Sequence, residues 1–283
     1  MIEKAVLPAA GLGTRLLPIT KELPKEMLPL FFRREDDTVC LKPMLQAVFE
    51  QLYGVGFRRF CIIVGRGKRA IEDHFTPDWD FVQHLKSQNR ASLTDELREF
   101  YRKVEDSNMV FISQPTPRGF GDAVYRGNPF TGEDPFLLHA GDDLVLSRKN
   151  SHLERMIDAF KRYDADATFL VEELEDPRRY GVAVGEEVAA DVIEVEKVIE
   201  KPEKPPSNLA IIALYIFKPT IYEAIKAVTP DENGEVQLGD ALQALSKSGG
   251  RLYALKLRSD ERRIDIGTPE SYSQILKETI GHV

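Results

Sequence analysis

Near its start the chain carries residues whose types suit phosphate chemistry. Residues 7–15 read LPAAGLGTR. Gly11 and Gly13 permit a tight backbone path after a strand. Backbone N–H groups in such a turn can cradle a phosphate, because no Cβ blocks close approach. An ordinary strand-to-helix turn is the plainer reading of a bare G-x-G. Arg15, Lys21 and Lys25 place three cationic side chains beside it. Glycine loop, Arg15 and Lys25 together suit a triphosphate, whose charge must be offset before an anionic nucleophile can approach. Two common phosphate-binding patterns fail on spacing. Leu16 occupies the third glycine position of the dinucleotide fingerprint, and G-x-x-x-x-G-K-[ST] is absent. Gly65-Arg66-Gly67-Lys68 lacks that spacing and reads as a basic surface turn.

Carboxylates offer the complementary chemistry. Asp142 and Asp143 follow the apolar run PFLLHAG, where Gly141 lets the chain turn at a strand end. Open α/β sheets expose their ligand crevices at such ends. Vicinal aspartates often cap a loop; the alternative is a hard oxygen ligand for Mg²⁺. Residues 263–270 (RIDIGTPE) read as a strand followed by a helix start. Thr268 suits the cap, Pro269 the first helical position and Glu270 the positive end of the dipole. Asp265 lies where that strand ends, and by position alone it is a loop residue. Glu200-Lys201-Pro202 by itself is a solvated charge pair in a linker. His74, His84, His139, His152 and His282 show neither metal-ligand spacing nor a triad with serine, and they read as structural or surface residues.

Alternating strands and helices must position these groups. Lys4–Pro8, Phe60–Val64, Val110–Ser113, Pro135–Ala140 and Ala167–Val171 are short apolar runs, as expected of strands covered on both faces. Met44–Tyr53 has helical spacing and is closed by Gly54 and Gly56. The alternation implies crossover units and a mostly parallel sheet. Within 76–103, Leu93, Leu97, Phe100 or Tyr101, and Val104 recur at helical spacing, with Ser92 or Thr94 as cap. That stretch reads as a solvated helical insertion, or one whose apolar stripe meets a second subunit. Prolines in 200–208 (EKPEKPPSN) forbid a regular helix there.

Composition sets the boundaries. The 283 residues carry a formal charge of −8, with 42% apolar and 30% charged side chains, as in an ordinary globular protein. An acidic chain lacks the positive field that non-specific binding to nucleic acid or a membrane surface needs. The longest apolar run, Leu209–Phe217, is too short to span a bilayer. Cys40 and Cys61 cannot form a disulfide framework, and the first glycine comes too early for a secretory apolar region. A cytoplasmic location is expected.

The stretch LPAAGLGTRLLPITKELPKEMLPL resembles the N-terminal signature of the sugar-nucleotide pyrophosphorylases. Its wording is similar to their uridylyl branch; thymidylyl members usually carry Ser for Leu12 and Gln near Glu26. The resemblance runs from about Ile2 to Tyr272. It implies an α/β fold, a Rossmann-like three-layer sandwich with a mixed, mostly parallel central sheet. It implies one nucleotidyltransferase domain over residues 1–283, a helical insertion at 76–107 and a sugar-binding, C-terminal part from about residue 170. The implied reaction is Mg²⁺-dependent conversion of UTP and glucose 1-phosphate to UDP-glucose and pyrophosphate, in a homodimer or homotetramer. Use of dTTP, or a non-catalytic regulatory protein on the same fold, are the alternatives.

Carried over residue by residue, the resemblance gives Ala9, Ala10, Gly11, Gly13 and Thr14 to the nucleotide, and Gln114 and Gly119 to its base. It gives Tyr180, Gly181, Glu200, Lys201 and Asn208 to the sugar phosphate. Asp142 and Asp265 share the metal, and Arg15, Lys25, Asp142 and Lys201 carry the catalysis. The chain departs from the family pattern at residues 31–40 (FFRREDDTVC), an insertion, at Ala213 for a frequent glycine, and at Gly239 for a usual threonine.

Overall fold

The apolar runs become inner strands of one nine-stranded sheet in a computed structural model that describes residues 2–34, 37–88, 90 and 94–281. The chain begins with β1 (Lys4–Ala9). Three short 3₁₀ turns follow the glycine loop, at Thr14–Leu16, Ile19–Lys21 and Lys25–Met27, where a helix was one expectation. The expected insertion is part of a hairpin of β2 (Pro29–Arg33) and β3 (Val39–Pro43), which leads directly into α1 (Met44–Gly54). Next come β4 (Arg59–Gly65), α2 (Arg69–His74), α3 (Trp79–Ser87), α4 (Asp95–Glu105) and β5 (Asn108–Gln114). The middle holds α5 (Phe120–Arg126), α6 (Asn128–Thr131), β6 (Phe136–His139), β7 (Asp143–Leu146), α7 (Ser151–Arg162) and β8 (Ala167–Glu173). The last part holds β9 (Gly181–Ala189), β10 (Val192–Glu200), β11 (Leu209–Phe217), α8 (Thr220–Ala227), α9 (Leu238–Lys247), β12 (Leu252–Lys256), β13 (Arg262–Asp265) and α10 (Pro269–Gly281).

The strand order is β5-β4-β1-β6-β11-β8-β12-β10-β9. Pairing is parallel through β5, β4, β1 and β6, and between β8 and β12. It is antiparallel at β6–β11, β11–β8, β12–β10 and β10–β9. The sheet is therefore mixed, and the expected parallel character holds for one half. The reason is local: β9 and β10 join through a tight turn with Asp191 at φ 62°, too short for a crossover. β7 and β13 form a separate antiparallel pair, with Asp143 opposite Asp265.

Side chains alternate between two buried clusters. Leu7, Ile62 and Leu137 join one, with Phe49 of α1, Phe100 of α4 and Met156 of α7. Val6, Ile63 and Leu138 join the other, with Val124 of α5, Tyr222 of α8 and Leu242 of α9. Two-sided burial is why these strands read as unbroken apolar runs. The helical insertion covers its own stripe. Phe100 packs edge-on against Phe49 with ring centroids 6.0 Å apart, and Tyr101 and Val104 are buried beside it. Thr94 holds the N-cap position of α4; Ser92 and Leu93, the other cap candidate and the first residue of the stripe, lie outside the described residues. Thr268 caps α10 as expected, accepting from the Ser271 N–H at 3.2 Å.

Candidate active site

The glycine loop lines one wall of a hollow of about 290 Å³. Ala10, Gly11, Leu12, Gly13 and Thr14 face Gln114, Pro117, Gly119, Phe120 and Glu235 across it, with Lys25, Glu26 and Asp142 at its base. Gly13 has φ 65°, a conformation glycine adopts freely, and its carbonyl accepts from Thr20 Oγ1 at 2.7 Å. A Cβ on Gly11 would meet Lys25 Cε at 3.5 Å, so loop and lysine pack together. Gln114 ends β5, nearly buried. Its Nε2 donates to the Gly119 carbonyl at 3.2 Å and to Asp122 Oδ2 at 2.8 Å, which fixes the amide. Gly119 has φ 91°, and a Cβ there would lie 2.7 Å from the Val236 carbonyl oxygen.

A second hollow, of about 270 Å³, adjoins the first and shares Lys25, Phe120 and Asp142 with it. Tyr180, Gly181, Glu200, Lys201, Ala213, Gly239 and Arg263 are among its other walls. Lys201 adopts φ 41° and donates its N–H to the Tyr180 carbonyl at 3.1 Å. That strained turn sends Lys201 Nζ to Glu200 Oε1 at 3.0 Å. The Glu200 carboxylate fills the space beside Gly239. A Cβ at Gly239 would sit 2.3 Å from Glu200 Oε2.

Charge concentrates where the hollows meet. Lys25 Nζ and Asp142 Oδ2 form a close ion pair. Burial works against the Lys25 ammonium, but the Asp142 carboxylate outweighs it and holds the group above the ordinary lysine value. Arg263 grips Asp143 with two nitrogens, at 2.7 and 3.0 Å, and reaches Asp265 Oδ2 at 3.4 Å. The Ile266 N–H donates to the Asp142 carbonyl at 3.2 Å, so the strand ends carrying Asp142 and Asp265 are bonded to each other. Burial pushes the Asp265 carboxyl up to about 6; Arg263 opposes this, and the charges of Asp143 and Asp142 add to it. Three aspartates thus face two cations, an arrangement that suits a further positive charge. Among the described residues no three carboxylate, histidine or thiol side chains form a metal-binding group. Two carboxylates completed by substrate phosphates are enough for Mg²⁺, which dehydrates reluctantly.

The structure therefore brings Gly11, Gly13, Thr14, Lys25, Gln114, Gly119 and Asp142 to one hollow, and Tyr180, Gly181, Glu200 and Lys201 to its neighbour. Four expected residues line neither hollow: Asp265 stays beside Asp142 through the Ile266 bond, and three others stand apart. Arg15 is exposed and lines neither hollow; its Nη1 lies 3.8 Å from where a Cβ of Gly267 would be, a point 3.5 Å from Asp265 Oδ1. Ala9 ends β1 with its side chain in the core, because strand alternation turns it inward. Asn208 lines a different surface hollow with Asp176, Arg178 and Ser207, since the loop after Lys201 carries it away from Gly239.

Two residues were missed. Arg263 carried a signal, being two positions before Asp265 on one strand and hence on the same face. Lys68, read as part of a surface turn, is 8% exposed and donates to the buried Glu26 at 2.9 Å. Its partner lies 42 residues away, and nothing in the local spacing points to it.

Comparison with known proteins agrees with this geometry. The nucleotidyl transferase family matches residues 4–280. A UTP–glucose-1-phosphate uridylyltransferase of Pseudomonas aeruginosa is 34% identical over 276 residues, spanning 96% of this chain and 94% of that protein. One of Streptococcus pyogenes is 35% identical over 273 residues, 94% of this chain and 84% of that protein. A crystal structure of UDP-glucose pyrophosphorylase complexed with UDP-glucose superposes with a TM-score of 0.86 at 32% identity, covering 100% of both chains.

Proposed function

The chain belongs to the nucleotidyl transferase family, and from that premise we propose that it transfers the uridylyl group of UTP to glucose 1-phosphate, giving UDP-glucose and pyrophosphate. The observation that carries this is the pair of adjoining hollows that share Lys25 and Asp142. A phosphate oxygen of glucose 1-phosphate attacks the α-phosphorus of UTP. A new P–O bond forms, and the bond from the α-phosphorus to the bridging oxygen breaks to release pyrophosphate. The nucleophile is already an anion, so the chain need not remove a proton. Its work is positioning and charge neutralisation.

On this reading the backbone from Ala9 to Thr14 cradles the phosphates, and Gln114 and Gly119 hold the uracil edge. Lys25 offsets charge at the transferred phosphoryl group. Arg15, a long exposed side chain, reaches the phosphates from the Asp265 side. Lys201 holds the incoming phosphate, while Glu200, Tyr180 and Gly181 receive the sugar; Asn208 belongs to its outer margin. Asp142 and Asp265 would hold Mg²⁺, which when bound supplies positive charge to the reacting phosphates. The fold reading extends to a Rossmann-like three-layer sandwich, supported by buried clusters on both sides of the sheet. Two buried free cysteines support a cytoplasmic location, and among the described residues no helix is long and apolar enough to cross a membrane. Exposed Val39 and Leu41 on the β2–β3 hairpin support a homodimer or homotetramer.

Turnover tests the proposal. Purified protein with UTP, glucose 1-phosphate and Mg²⁺ should release pyrophosphate and form UDP-glucose, more slowly with dTTP and not at all with a chelator. Absence of pyrophosphate release, or a preference for dTTP, would overturn it.

A further inference from the structure

Beside Lys25 its turn carries a second charge pair, made by Glu26 at the base of the first hollow and Lys68. Glu26 is 1% exposed, and Lys68 Nζ donates to its Oε2 at 2.9 Å. Withdrawing both charges from water is costly, and such a pair can often be replaced by neutral groups without loss of stability. Its placement suggests another purpose. The Lys25–Met27 turn has no side-chain cap of its own, and Pro24 before it offers no N–H. Lys68 closes the Gly65–Lys68 turn at the end of β4, its N–H donating to the Gly65 carbonyl at 3.3 Å. That turn also runs beneath the glycine loop, where a Cβ on Gly65 would lie 2.8 Å from the Ala10 carbonyl oxygen. One short segment thus backs both the backbone that enters the loop and the side chain next to Lys25.

We propose that Lys68 is a positioning residue of this site: through Glu26 it tethers the turn from which Lys25 reaches the wall shared by the two hollows. The inference rests on the reading of Lys25 as a phosphate-holding group. Burial pushes the Glu26 carboxyl above its ordinary value, and the Lys68 ammonium beside it works against that rise.

The test compares steady-state kinetics and thermal midpoints of the full chain and its variants with UTP, glucose 1-phosphate and Mg²⁺. Lys68→Met alone leaves a buried carboxylate uncompensated and can fail to fold, so two other variants decide. Glu26→Gln/Lys68→Met, neutral at both positions, should keep its thermal midpoint but lose kcat by about 100-fold, as expected of a displaced catalytic group, with both KM values within about threefold of wild type. Lys68→Arg keeps the charge and should hold kcat within about fivefold. A double variant with wild-type kcat, or Lys68→Arg as impaired as the double variant, overturns the inference. A double variant that does not fold shows a structural pair and overturns the inference. An inactive unaltered chain overturns the phosphate reading and this inference with it; an active one beside a fully active double variant overturns the inference only.

Discussion

Lys25 and Asp142 share one ion pair and stand in both hollows, so removing either exposes the other. Asp142→Asn keeps the shape and removes the charge. It should lower kcat by at least about 100-fold, the scale of losing one preorganised electrostatic group, with circular dichroism unchanged. Near-normal turnover would show that Asp142 is not essential. Gly239 makes a second, separable prediction. A methyl at that position would fall 2.3 Å from Glu200 Oε2 and must displace the carboxylate. Gly239→Ala should raise KM for glucose 1-phosphate by about 10-fold, the scale of one altered pocket contact, and leave KM for UTP unchanged. An equal rise for both substrates would place Glu200 elsewhere in the mechanism. Residues of this kind were marked out by their neighbourhood in the glycine loop with Lys25, and only by the family resemblance in Glu200 with Lys201. Lys68 was hidden because its function depends on a partner brought close only by the fold. Asn208 lines a separate surface hollow because the proline-rich loop carries it there, a path its position in the sequence does not announce.

At the scale of elements, α7 carries a titratable burden. His152 in its first turn is fully buried, with Nδ1 2.7 Å from Ser147 Oγ. Burial lowers it to about 3, and the neighbouring His139 and Arg155 charges act in the same direction. A group held neutral in the fold costs nothing above its unfolded value of about 6.5. As pH falls from about 6.5 toward about 3, the unfolded chain takes up the proton first and stability declines. His152→Asn should flatten that part of the curve of unfolding free energy against pH; an unchanged slope would mean that His152 titrates normally. Elements were legible in proportion to their burial. Strands covered on both faces, such as β4 (FCIIV at its centre), announce themselves as apolar runs, and β11 coincides with the longest apolar run, Leu209–Phe217. β9 and β10 did not, since GVAVGEEVA and VIEVEKVIE interleave glutamates that face solvent. The antiparallel half of the sheet was lost with them.

For the whole molecule, the two halves of the sheet divide the work. The ends of parallel strands β1, β5 and β6 lead into the hollow proposed for the nucleotide, as open α/β sheets place their ligands. The antiparallel strands β9, β10 and β11 wall the hollow proposed for the sugar phosphate. On the proposed reading, adjoining hollows bring both substrates to Lys25 at once, and transfer is direct, with no covalent intermediate on the chain. Exchange of labelled pyrophosphate into UTP reads this directly. With glucose 1-phosphate and Mg²⁺ present, label should enter UTP through reversal of the reaction; without glucose 1-phosphate, none should. Exchange that proceeds equally well in the absence of the sugar phosphate would reveal a uridylylated protein and contradict the account.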